Sequence, residues 1–186
     1  RKSKYAGGGL QGHEAQVIIM INSVFLGNVG FRDGGGAGLT NVFSVSITGC
    51  QFRQNRGGSG GGVSIVGIKN ITDVKILEVL FIFNAVSWRT NGLGGCMHIS
   101  KSLKVKIDSS QLDGCYATSH GGLYAEDTVM LAMHNCNIKK CKSNAEMFDF
   151  GGGVGSIEGK LNIYVNCTFK LNYGGGLFAQ DRMYDV

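Results

Sequence analysis

The chain has no proline, a single tryptophan and only 17% charged residues among its 186 positions. Without proline, its 31 glycines belong neither to collagen nor to a proline-rich disordered tail; they sit at fixed places in a sequence that is 43% apolar. No apolar run approaches the roughly 20 residues that span a bilayer, and the best, Val17 to Ile21, reads as a buried strand. The start, Arg1 to Tyr5, leads into no signal-peptide hydrophobic region. No C-x-x-C pair is present, so no structural zinc site is expected. Helical periodicity is nowhere sustained, and glycine would break the candidate windows. The net charge of +5 is spread along the chain. That permits weak attraction to anionic surfaces or acidic polysaccharides but reads first as a solvated surface, with no patch for nucleic acid.

What is present is a repeat. Gly49 to Ile65 contains a Phe-x-x-Asn step (Phe52, Asn55), a glycine run (Gly60 to Gly62) and a short apolar alternation (Val63 to Ile65). The order recurs at Phe25/Asn28 with Gly34 to Gly36, at Phe81/Asn84 with Gly94 and Gly95, and at Phe169/Asn172 with Gly174 to Gly176. In two degenerate copies cysteine replaces asparagine: Leu112/Cys115 before Gly121 and Gly122, and Ile138/Cys141 before Gly151 to Gly153. An incomplete copy, Gly7 to Leu10, opens the chain. Successive anchors stand 27, 29, 31, 26 and 31 residues apart, a period that means stacked repeats.

Aligned on the anchor, two apolar columns appear before it: Ile18, Val45, Val74, Val105, Leu131 and Met20, Ile47, Ile76, Ile107, Met133. The residue between them varies freely (Ile19, Ser46, Lys75, Lys106, Ala132), which is the period-2 signature of a strand with one buried face. The last copy (Leu161, Ile163, Val165) fits those columns only with one residue deleted. A second strand is expected after each glycine run. The fold class is therefore all-β, a parallel β-helix of about six to seven coils, roughly 30 Å long at the spacing of stacked strands. Residues 1–186 form one domain, read as a segment of a longer protein because neither end resembles a cap. Phe at one point of each coil fills the lumen, Asn at the turn takes a left-handed conformation and bonds neighbouring backbone, and glycine permits the next corner. The longer loops, Ile68 to Asp73, Asn84 to Leu93 with Trp88, and Lys142 to Phe150, absorb the length variation.

The alternation of FxxN with GGG[AVL] resembles the repeats of the chlamydial polymorphic outer-membrane proteins, in which FxxN and GGA[ILV] motifs alternate. The resemblance covers nearly the whole chain through the residues quoted above. It implies a right-handed parallel β-helix of the pectin-lyase-like kind, secreted or on a cell surface, with a structural or adhesive role. The motif residues it carries over are scaffold residues, and no membrane barrel is among them.

Cys115 and Cys141 occupy the Asn position of adjacent coils, and Cys136 and Cys167 stand two residues before the anchor on adjacent coils. Coil spacing of about 5 Å suits a disulfide in each pair, the alternative being a ladder of buried thiols. Cys50 and Cys96 have no column partner and are expected free. Asn70-Ile-Thr72 and Asn166-Cys-Thr168 are sequons that take glycans in a eukaryotic secretory pathway.

For catalysis the best-placed residues are Glu78, Asp108 and His134, three, four and four residues before their anchors on successive coils. Paired acids, or an acid and a base, on one outer face would suit a polysaccharide lyase or hydrolase; a solvated surface is the plainer reading of three such residues. His98 and Tyr124, after the glycine runs, offer a sugar-stacking pair or ordinary surface. Gly7 to Gly12 spells G-x-G-x-x-G, but as repeat glycine with no helix following it, so neither a dinucleotide nor another cofactor or metal is expected. A flat ice-binding face would need a Thr or Ser ladder, which the free column lacks. The expectation is a non-catalytic, extracellular structural or adhesive segment. Its partners would be further coils or subunits, with carbohydrate as a further candidate, and a carbohydrate-active enzyme or binding module is the alternative.

Overall fold

A computed structural model describes residues 8–86, 92–144 and 152–180. Gly7, Trp88, Gly151 and most of the two longer loops lie outside the described residues. The described residues form an all-parallel β-solenoid with no helix. Its first set of strands follows the glycine runs: Leu10–His13, Ala37–Val42, Val63–Gly67, the first part of Met97–Asp108, the first part of Leu123–His134, Val154–Ile157 and Leu177–Gln180. The second set comprises Val17–Ile21, Ser44–Thr48, Thr72–Leu77, the later parts of the two long strands, and Leu161–Val165. A third, six-stranded sheet carries the anchors, from Val24–Leu26 to Thr168–Lys170. Those six strands are five coil steps apart from first to last, giving about five turns where the repeat count predicts six to seven, and a rod nearer 24 Å than 30 Å.

Both apolar columns point inward and are buried from the second coil to the fifth. The anchors stack as expected: Phe25 on Phe52 at 4.6 Å between centroids, Phe52 on Phe81 at 5.0 Å, then Leu112 and Ile138 beyond. Asn28 Nδ2 donates to Asn55 Oδ1 (2.9 Å) and Asn55 Nδ2 to Asn84 Oδ1 (3.0 Å), while Asn84 Nδ2 donates to the Phe52 carbonyl (2.8 Å). The left-handed residue is the one before each Asn: Gly27, Gln54, Phe83, Gly114, Lys140 and Leu171 all have φ between 51° and 65°. The expected left-handed Asn is thus displaced by one position, and the asparagine serves as a buried hydrogen-bonding rung. Gly36 and Gly62, each the third glycine of its run, make room for the anchors. A Cβ on Gly36 would lie 2.7 Å from the Phe52 ring, and one on Gly62 2.8 Å from the Phe81 ring.

Three cysteine expectations fail for directional reasons, the two column pairings and a free Cys96. Cys115 is bonded to Cys96, not to Cys141, with Cα atoms 5.4 Å apart; Cys136, Cys141 and Cys167 are free thiols. The third residue of a glycine run faces the Asn position of its own coil: a Cβ on Gly36 would lie 3.3 Å from Asn55 Nδ2, and one on Gly153 3.1 Å from Asn172 Nδ2. Cys96 holds that place opposite Cys115, whereas side chains stacked in one column run alongside one another. Cys136 and Cys167 each donate instead to carbonyls, at 3.1 Å to His134 and 3.3 Å to Met133. Likewise, Leu161–Val165 pairs with no residue deleted, Leu161 opposite Met130 and Ile163 opposite Ala132. A one-residue slip exchanges the faces of a strand, so Asn162 and Tyr164 take the core columns while Leu161, Ile163 and Val165 point outward.

Candidate functional site

Among the described residues, the outward columns of the second set of strands form a concave surface that gathers ionisable groups. Register places Asp73 beside Lys104, Lys106 between Lys75 and Ala132, and Asp108 between Leu77 and His134. A groove of about 300 Å³ is lined by Lys75, Leu77, Lys106, Asp108, Ala132 and His134. A neighbouring one of about 280 Å³, lined by Ser44, Ser46, Asp73, Lys75, Lys104 and Lys106, shares two of its lysines. The strand rule that separates the varying column from the core columns is what turns these side chains out.

The structure therefore brings Asp108 and His134 together and leaves Glu78 aside. Leu77 holds the place in register with Asp108, and Glu78 is an exposed left-handed corner residue (φ 55°). Asn135 Nδ2 donates to Asp108 Oδ1 (3.1 Å) and Ser109 Oγ to the same oxygen (3.0 Å). These bonds, led by Asn135 and helped by nearby His134, hold the Asp108 carboxyl below its usual range. It is then a fixed anion at neutral pH, a weak base and no acid. Glycoside hydrolysis needs two carboxyl groups roughly 5–9.5 Å apart. Asp108 is the single carboxylate lining its groove, and Asp73 lies four residue steps away along the strand direction, roughly 13 Å. What the groove can do is hold an anion against Lys75 and Lys106.

His98 and Tyr124 do not form an outer sugar platform. They are register partners, both buried, with rings 5.7 Å apart. His120 stacks on Tyr124 at 4.9 Å and lies 5.8 Å from the Phe178 ring. Sequence reading missed His120, though a signal existed. It precedes Gly121 and Gly122 where other copies have glycine, and it adopts the same left-handed backbone (φ 54°, against 59° at Gly60 and 62° at Gly94). Its ring fills the space that a Cβ on Gly155 would need, 1.8 Å from Cδ2. Burial lowers both imidazoles to about 4.

Three cysteine sulfurs, of Cys96, Cys115 and Cys141, lie within 4.8 Å of one another. Two are joined and burial pushes Cys141 up to about 12, so the set is a covalent staple with an inert thiol rather than a ligand set. The sequon asparagines Asn70 and Asn166 are both exposed, in left-handed turns at φ 60° and 51°. Gly9 and Gly12 of the G-x-G-x-x-G run lead into or lie in the strand Leu10–His13, and no helix follows among the described residues. No protein family, curated protein or solved structure matches the chain.

Proposed function

We propose that the chain is a non-catalytic, extracellular structural or adhesive segment of a surface protein or assembly, with repeats like those of the chlamydial polymorphic outer-membrane proteins on a pectin-lyase-like solenoid. The observation that carries this reading is that the recurring residues are consumed by the scaffold. Phe25, Phe52 and Phe81 stack in the lumen and Asn28, Asn55 and Asn84 bond rung to rung. The variable residues are left to the outer face.

The first coil supports assembly with more coils or another subunit. Its outward residues Val17, Ile19, Ile21, Val24 and Leu26 are about 60% exposed, where the second coil has Ser44, Ser46, Thr48, Gln51 and Arg53. The exposed sequons and the disulfide agree with an oxidising compartment. A second reading, a carbohydrate-active enzyme, is favoured only by the meeting of Asp108 and His134.

Turnover on a uronate polymer separates the two. The wild-type chain is expected to release no new chain ends above blank. Turnover that disappears in Asp108→Asn would replace the adhesive reading by the enzyme. Location is read by intact mass of native material before and after reduction and glycosidase treatment. An unglycosylated chain with six free thiols contradicts the extracellular assignment.

A further inference from the structure

We propose that the shared lysine groove binds a linear anionic glycan, a chain with one carboxylate or sulfate per sugar, laid along the solenoid axis. The inference rests on the adhesive reading above and names its ligand.

Lys75 and Lys106 are direct register partners on adjacent coils. Like charges directly opposite each other destabilise a sheet. None of the ion pairs among the described residues involves either lysine. An anion seated between the two ammonium groups removes that repulsion. Both grooves contain both lysines, so together they make one trough. Its floor continues over buried Ala132 toward outward Ile163 in one direction and over Ser46 toward Ile19 in the other.

The surrounding charges give the ligand a direction. Asp73 stands to one side of the Lys75–Lys106 column and Asp108 to the other, each two residues away along its strand. A chain running parallel to the strands would meet both carboxylates. A chain running along the column meets only the lysines, with Lys104 flanking. Coils repeat at about 4.8 Å, close to the length of one sugar residue, so acidic groups on two successive sugars match the ammonium groups of the two adjacent lysine rungs. The column carries no aromatic ring (Ile19, Ser46, Lys75, Lys106, Ala132, Ile163), so stacking contributes nothing there and recognition depends on the ligand's charge.

The test is calorimetric titration of the full chain with an octagalacturonate, its methyl ester and a heparin-derived octasaccharide. Both acidic oligomers, or one of them, are expected to bind and the methyl ester not; which one binds identifies carboxylate or sulfate as the group recognised. The variant K75E/K106E is expected to bind about tenfold or more weakly, while the charge-matched K160E/K170E, altered at exposed lysines elsewhere, stays near wild type. Equal affinity for the methyl ester, unchanged binding by K75E/K106E at wild-type melting temperature, or no binding of any oligomer overturns the proposal. Release of shortened oligomers during titration would instead overturn the non-catalytic reading and leave the ligand assignment standing, so the two failures are distinguishable.

Discussion

Unfolding titrations run between pH 7 and pH 4.5 are expected to show a loss of stability on the order of 5 kcal/mol, centred on His98 and His120. Burial puts each imidazole at about 4 in the folded chain, against an ordinary value near 6.5. A depressed histidine means that the fold holds the neutral ring. Its contribution is complete above pH 6.5 and is lost as the pH falls toward 4, because the unfolded chain takes up the proton first. Every tenfold drop in proton affinity on folding corresponds to about 1.4 kcal/mol, so each ring accounts for roughly 2–3 kcal/mol over this window. Glu126 works in the opposite direction: burial, with Glu158 and Asp127 adding to it, raises its carboxyl, so protonation relieves the fold and slightly offsets the loss. The double variant His98→Gln/His120→Asn, in which Asn tolerates the left-handed backbone at position 120, should flatten the profile. A wild-type profile that is already flat from pH 7 to 4.5 would show that the two rings are not buried as described.

Phe52→Ala should destabilise the chain by about 3–5 kcal/mol, near the top of the range for core truncations. The Phe52 ring is fully buried and is the only one of the three to stack on both sides, 4.6 Å from Phe25 and 5.0 Å from Phe81. Its loss leaves a cavity and breaks two aromatic contacts of about 0.5–1.5 kcal/mol each. A solenoid has no other core to redistribute the strain, since each coil rests on its neighbours. Denaturant melts read the effect, and a change below about 1 kcal/mol would mean that the lumen is not filled by this stack.

These two clusters show what a sequence yields and what it withholds. The Phe stack was legible because equivalent residues recur at one period and parallel coils place them one above another. The outer column of Lys75, Lys106 and Ala132 followed from the same rule, and with it the meeting of Asp108 and His134. Glu78 dropped out because one residue of offset moves a side chain from sheet to corner, and the anchor distance alone does not mark where the strand ends. The disulfide between Cys96 and Cys115 was not legible. Their proximity arises within one coil, from the direction in which a corner residue faces the lumen, and column alignment compares only residues on different coils. Leu161–Val165 is the converse case. Its apolar alternation argued for the core, yet the pairing that continues Leu123–His134 seats Asn162 and Tyr164 there, leaving Asn162 Oδ1 and the Tyr164 hydroxyl buried without hydrogen-bond partners. Backbone register set by the strand beneath prevailed over side-chain preference.

The groove exists only if the coils stack in register, and a distance measurement tests that directly. Ser46 and Ile163 lie in one outward column, four coil steps apart through Lys75, Lys106 and Ala132. Spin labels at the two positions, read by pulsed electron resonance, should give a narrow distribution near 19 Å, four spacings of about 4.8 Å. A broad distribution centred beyond about 30 Å would contradict the stacked solenoid, and with it the lysine trough built on its outer face.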